Sequence, residues 1–280
     1  MFFRLPPAAL ILSCAILWSM AGVMIKSVEM SGLAIAGMRS LFAATAIGAL
    51  FHQTMKVPTK LQAIGALSYA LTVVSFVVAT KMTSAANAIF LQSTAPLYVF
   101  FFTWFFLKQS PTRIDWLVMP LIVIGMSLFF SGPLDWSNKL GVIIGAASGC
   151  FFGSFLILMR KESTGSPLRA IFWGNILTFS ATLPFMQSSE FNSHSLMMLT
   201  LMGLFQLALP YYIYSRAVGH ISALDASLIL LLEPILNPIW VFLFVGERPP
   251  ATSILGGIIV IGAVALRPIL RGQRSRLTRN

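Results

Sequence analysis

The chain has 280 residues, of which 57% are hydrophobic and only 10% carry charge, and its formal net charge is +11. Soluble domains carry roughly a quarter charged residues, so this composition excludes an ordinary soluble fold and describes a chain that spends most of its length in lipid. The positive charge does not mark a nucleic-acid binder, because its placement follows membrane topology.

Arg4 precedes an apolar run over 8–25. That run is long for a signal peptide, lacks a clear cleavage site and leads straight into further apolar segments, so it reads as a retained first helix. Further apolar segments follow at 33–51, 61–80, 84–107, 116–130, 140–159, 168–186, 196–214, 223–245 and 254–270. The expected fold is therefore an all-α polytopic membrane protein with ten transmembrane helices and short connections. The basic tail 271–280 has nothing to pack with and is expected to be disordered in the cytoplasm. Cys14 and Cys150 lie inside apolar segments and read as small buried residues, not as a disulfide.

With the N-terminus inside, 14 of the 19 Lys and Arg residues fall on cytoplasmic ends and loops, which predicts that both termini are cytoplasmic. Arg39 lies about six residues inside span 2. It reads first as a side chain snorkelling outward, and second as a partner for a substrate carboxylate or an acidic side chain. Lys81, near the outer end of span 3, reads as an interface anchor.

Span 4 places Ser84, Asn87, Thr94 and Tyr98 on one face, and a polar face at membrane depth is expected to point inward. Span 6 carries Gly141, Gly145, Gly149 and Gly153 at every fourth residue. Glycine at that spacing lets another backbone approach closely; a sliding or gating surface is the second reading. Span 9 holds Glu233, Pro234, Asn237 and Pro238 near its middle. Pro234 cannot donate to the carbonyl of Leu230, nor Pro238 to that of Pro234, so a break is predicted between Leu230 and Pro238, facing protein or a water-filled cavity. Asn237–Pro238 also looks like an N-cap followed by a first-turn proline. Ala226, Glu233, Asn237 and Trp240 share one face. The plain reading of Glu233 is a neutral or hydrogen-bonded group closing the broken helix; the sharper one is a proton carrier.

The sequence repeats itself. Ile122-Val123-Ile124-Gly125 recurs as Ile259-Val260-Ile261-Gly262. A shift of 138 positions lays Ser84, Ala85, Ala88, Pro96 and Pro111 on Ser222, Ala223, Ala226, Pro234 and Pro249. The expected organisation is a first five-helix repeat over 1–138 and a second, inverted one over 139–270, around a central cavity.

The stretch from Ser215 to Ala223, then Leu232-Glu233-Pro234 and Gly246-Glu247, resembles the second half of the EamA-type drug/metabolite transporters. The two Ile-Val-Ile-Gly segments and Trp18 resemble that family too. The first half departs from it, with Thr94-Ala95-Pro96 where the second half has Leu232-Glu233-Pro234, and Lys108-Gln109 in place of Gly246-Glu247. Within the family the chain is most similar to the YddG-type exporters of aromatic amino acids. The resemblance implies ten helices, an inner-membrane location, efflux of small metabolites, and a central cavity built from spans 1, 3, 4, 6, 8 and 9 with the other spans outside.

On those spans the candidate substrate-lining residues are Trp18, Asn87, Thr94, Tyr98, Tyr211, Tyr214, Glu233, Asn237 and Trp240. Aromatic walls with few polar groups suit a small amphiphile. The candidate break or gating residues are Pro96, Pro234, Pro238, Gly145 and Gly149. The expected function is a secondary transporter or facilitator exporting amino acids, aromatic and other small neutral ones, or similar metabolites by alternating access. A proton-coupled multidrug or other metabolite exporter of the same fold is the alternative. An intramembrane enzyme has against it the lack of a Ser–His or paired-Asp arrangement at membrane depth. The three histidines lack metal-ligand spacing and no Walker-type glycine loop exists, so neither metal, cofactor nor ATP is expected. The expected partners are a small-molecule substrate and the bilayer, not nucleic acid, and the oligomeric state is left open, with a monomer compatible with the sequence.

Overall fold

The computed structural model describes residues 5–131, 137–187, 192–236, 239 and 250–277, with the side chains of 268, 269 and 271–277 left aside. The described residues are helical throughout, with no strand among them. The helices are α1 (Pro7–Trp18), α2 (Ala21–Lys26), α3 (Gly32–Leu50), α4 (Lys60–Met82), α5 (Ala85–Gln92), α6 (Ala95–Leu107), α7 (Arg113–Phe129) and α8 (Lys139–Lys161). They continue with α9 (Pro167–Thr182), α10 (Ser193–Met202), a π segment (Gly203–Ala208), α11 (Leu209–Ala217), α12 (Ala223–Leu230), helical residues 232–236, and α13 (Ala251–Leu277). Among the described residues, six helical stretches are long and apolar enough to cross a membrane: Pro7–Lys26, Gly32–Leu50, Lys60–Met82, Ala85–Leu107, Lys139–Lys161 and Ser193–His220.

Polar caps start these helices. Ser31, Thr59, Ser84, Thr112, Asn138, Asn192 and Ser222 each accept a backbone N–H of their own first turn. The helix bodies then invert the soluble arrangement. Ile64, Leu67 and Leu71 of α4 are exposed, while Ser68, Thr72 and Ser75 of the same helix are buried, and Asn175 and Thr178 are buried on α9. Apolar side chains cost nothing in lipid, and polar ones must find partners within the protein. Thr72 and Thr178 do so by donating to the carbonyl four residues back.

At the centre, α4 packs against α3, α5, α8 and α9, while α7 and α13 pair with each other. Gly125 and Gly256 permit that pairing: a Cβ on Gly256 would lie 2.5 Å from the Gly125 carbonyl oxygen. One further contact ties separate stretches of chain. Arg267 on α13 donates from Nε to Asp115 on α7 at 2.8 Å and also pairs with Asp225 on α12.

Two helices are interrupted in the same way. α5 and α12 are both eight residues long, start from a serine cap and stop at Gln92 and Leu230. The turn at Ser93–Thr94 precedes Pro96, and the turn at Leu231 precedes Pro234. The hydroxyls of Ser93 and Thr94 donate to the carbonyls of Ile89 and Leu91, each at 2.6 Å, beside the backbone N–H groups that those carbonyls already accept. Pro238, the second predicted breaking residue of span 9, lies outside the described residues. Two further irregularities had no place in the sequence reading: the turn at Ser19–Met20 between α1 and α2, and the π segment.

The glycine stripe of α8 lies directly against the first break. A Cβ on Gly149 would stand 2.7 Å from the Leu91 carbonyl oxygen, and one on Gly153 would stand 3.1 Å from that of Ala95. A Cβ on Gly145 would meet the Leu91 side chain at 2.7 Å. The stripe is thus the close-packing surface that receives the interrupted helix. Gly149→Ala is expected to cost about 1–3 kcal/mol through forced separation of α8 and α5. Gly262→Ala, where nothing lies within 4 Å among the described residues, should melt like the parent. Equal melting temperatures for both variants in detergent would contradict this packing.

Candidate functional site

A hollow lies where both halves of the chain meet, at mid-depth of the bundle. Its volume is about 40 Å³, room for a few waters. Trp18 of α1, Phe76 of α4, Phe152 of α8 and Tyr211 of α11 supply aromatic walls. Arg39 of α3, Thr72, Gln92 at the end of α5, Gln206 of the π segment and Glu233 supply the polar groups. A second hollow adjoins it and shares Gln92, Phe152 and Glu233. Its other walls include Ser93 and Pro96 from the first helix break and Ser227 and Leu231 from the second. The two breaks therefore border neighbouring hollows, with Glu233 and Gln92 lining both.

The aromatic walls form one cluster. Trp18 lies 4.8 Å from Tyr211 and 5.9 Å from Phe152, ring centre to ring centre. Tyr69 sits edge-on to Tyr211 at 4.8 Å and to Phe155 at 5.5 Å. Its hydroxyl donates to Asn175 Oδ1 at 3.1 Å, which fixes the ring from behind.

Trp18 is held by a consequence of Pro210. That proline has no N–H, so the carbonyl four residues back, on Gln206, loses its α-helical donor. The chain widens there into the π segment. The Trp18 indole N–H donates to the Gln206 carbonyl at 2.8 Å, and Cys14 one turn earlier donates its thiol to the Pro210 carbonyl at 3.2 Å. The Gln206 side chain donates to Met24 Sδ at 3.1 Å and leaves its Oε1 without a partner.

Of the sequence-predicted lining residues, Trp18, Tyr211 and Glu233 border the hollow. Four others do not. Asn87 is buried in the first turn of α5, where Ser84 donates to its Oδ1 at 3.1 Å. Thr94 turns its hydroxyl back to Leu91 and lies against Gly149. Tyr98 packs beside Phe102 and against Gly153. Tyr214 is fully buried behind Phe155, 6.1 Å ring to ring. Thr94 sits in the turn itself and Tyr98 follows it, so the face drawn on an unbroken span 4 does not carry across the break. Asn237 and Trp240 lie outside the described residues. Of the break and gating candidates, Pro96 borders the second hollow, while Gly145 and Gly149 face α5.

Arg39, Gln92, Gln206, Thr72, Phe76 and Phe152 were not among the predicted lining residues. Arg39 is 3% exposed and faces the hollow instead of snorkelling, and with it span 2 joins spans expected to form the cavity alone. Glutamine in mid-span was a usable signal, since it is costly in lipid and marks an inward face.

The whole arrangement is that of a helical membrane transporter. The EamA-like transporter family matches residues 5–131 and again 139–267, and the chain belongs to that family. An uncharacterized transporter of Archaeoglobus fulgidus is 24% identical over 264 residues, covering 94% of this chain and 96% of that protein. The uncharacterized transporter YdfC of Bacillus subtilis is 25% identical over 208 residues, covering 72% and 68%. The pseudopaline exporter CntI of Pseudomonas aeruginosa is 26% identical over 194 residues, covering 67% of each. A solved crystal structure of 14% identity superposes with a TM-score of 0.78 over 94% of this chain and 97% of the other, a likeness of fold.

The Trp18 contact makes a specific prediction. Trp18→Phe keeps the ring but loses the indole donor, and should cost about 1 kcal/mol of stability. In a Pro210→Ala background Gln206 regains an α-helical donor, so the same change should cost less. Strictly additive losses in thermal unfolding of the three variants would contradict the link between Trp18 and the proline.

Proposed function

We propose that the protein is a secondary transporter that exports amino acids, aromatic and other small neutral ones, or similar metabolites across the inner membrane by alternating access. The observation that carries this reading is the aromatic-walled hollow bordered by both proline-associated helix breaks. Broken helices at mid-depth serve a transporter by presenting unwound backbone to cargo and by hinging. The hollow as it stands holds a few waters, so loading requires the aromatic walls to part.

The finer architecture belongs to the same proposal: ten transmembrane helices as two inverted five-helix repeats, 1–138 and 139–270, with both termini cytoplasmic. Three features support it. The family matches the chain twice, on either side of residue 138. α5 and α12 share length, cap and break at a spacing of 138. Fourteen of 19 basic residues fall on one side of the ten-span drawing. An aromatic amino-acid cargo, as in the YddG-type exporters, is supported by the Trp18, Phe76, Phe152 and Tyr211 walls. The printed name of the Pseudomonas aeruginosa relative, a pseudopaline exporter, supports metabolite efflux more generally.

Proton coupling is a second reading, favoured by Glu233, which has no hydrogen-bond partner among the described residues yet borders both hollows. One experiment addresses both. Purified protein in liposomes is given aromatic, aliphatic and cationic amino acids with and without a proton gradient. The proposal expects saturable flux of aromatic amino acids that falls at least tenfold in Tyr211→Ala and not in Ile143→Ala, whose side chain is exposed. Loss of gradient dependence in Glu233→Gln would support coupling through that carboxyl group; unchanged gradient dependence would exclude it. Absence of flux for every solute would overturn the transport reading.

A further inference from the structure

Arg39 poses a physical problem that its neighbours do not solve. Its residue is 3% exposed, its Nε is buried without a hydrogen-bond partner, and no ion pair reaches its guanidinium among the described residues. An uncompensated buried charge costs several kcal/mol. Elsewhere the fold spends its arginines carefully: Arg267 is paired with two carboxylates, and Arg160 donates to the carbonyls of Val218 and Gly219. Glu233 borders the same hollow and is likewise unpaired among the described residues. The two opposite charges share one cavity without closing on each other.

Packing keeps Arg39 where it is. A Cβ on Gly203, at the head of the π segment, would lie 2.7 Å from the Arg39 carbonyl oxygen, so that segment rests directly on the α3 backbone. Two residues earlier, a Cβ on Gly37 would collide with Thr182 Oγ1 on α9. α3 is thus wedged between α9 and the π segment, and Arg39 is presented from a rigid helix. Glu233, by contrast, follows the turn at Leu231 on an interrupted one. Trp18, Phe76, Phe152 and Tyr211 line the same hollow.

Resting on the transport reading above, we propose that Arg39 reads the carboxylate and Glu233 the ammonium of the cargo. The site is therefore specific for zwitterions, α-amino acids with an apolar or aromatic side chain lodged among the ring faces. Guanidinium and carboxylate match as a planar, charge-assisted pair. A carboxylate and an ammonium answer each other in the same way, and each bond removes a desolvation cost that the empty site bears. A cargo lacking either charge leaves one protein ion buried and alone. Because the charged groups sit on a rigid and an interrupted helix, a zwitterion bridging them links α3 to the second break.

The test compares phenylalanine with phenethylamine, which lacks the carboxylate, and 3-phenylpropionate, which lacks the ammonium, in counterflow into liposomes holding the purified full chain. The wild type should favour phenylalanine over each by roughly tenfold or more. Arg39→Gln should abolish the preference over phenethylamine while keeping that over 3-phenylpropionate. Glu233→Gln should do the reverse, and Arg39→Lys should restore part of the first preference. Equal wild-type flux of all three compounds would overturn the charge-reading roles and leave the transport reading standing. Uniform loss of all three in Arg39→Gln would also overturn them, since it would mark a merely structural arginine. No wild-type flux of these or any other panel solute would instead sink the transport reading itself.

Discussion

The structure depends on one constraint: a backbone carbonyl released at membrane depth must find a donor inside the protein. Prolines and interrupted helices release several such carbonyls, and the packing of the bundle follows from where they are. The Gln206 carbonyl, deprived of its α-helical donor by Pro210, takes the Trp18 indole and so fixes α1 against the π segment. The interrupted helix at Gln92 is received by the glycine face of α8, and the Ser93 and Thr94 hydroxyls fold back on the Ile89 and Leu91 carbonyls. Side chains at the site are positioned as a by-product of these repairs. Trp18 is both a structural donor and a wall of the hollow.

Polar groups follow the same logic at longer range. Arg267 joins Asp115 and Asp225, and so ties α7, α12 and α13 at one end of the bundle. Lys26 and Lys81 donate to the carbonyls of Thr83 and Val28, each at 2.8 Å, and tie α2 to α4 at the other. Between these two sets of ties, the hollow is lined by Arg39, whose Nε is buried without a partner, by Gln206, whose Oε1 is likewise unpartnered, and by Glu233.

Much of this was legible in the sequence, for reasons that are local. Apolar stretches, serine caps and the Pro96 and Pro234 breaks are written in neighbouring residues, and the helices begin and end close to where those signals put them. The glycine stripe of span 6 announced a close approach, though not which backbone would make it. The site was less legible. Asn87, Thr94 and Tyr98 were placed by helical periodicity, which does not carry across a helix break, and Tyr214 by the cavity that the resemblance implies, which selects a span but not a face. Pro210 was visible as a signal for the π segment, but its effect on register was not. Arg39 was misjudged because snorkelling depends on which neighbour covers the helix end, and that is a tertiary fact. The pairing of Arg267 with Asp115 and Asp225 spans 152 and 42 positions, and no single-sequence pattern links residues that far apart.

The central claim is that the hollow between the two breaks is the wetted route of the cargo. Its most direct test is solvent access at Gln92, the residue shared by both cavities. In a Cys14→Ser, Cys150→Ser background, Gln92→Cys is exposed to a small, charged, membrane-impermeant thiol reagent in liposomes. The account predicts labelling from water that saturating phenylalanine suppresses. A thiol that never labels, or one that labels at the same rate with and without cargo, would contradict it.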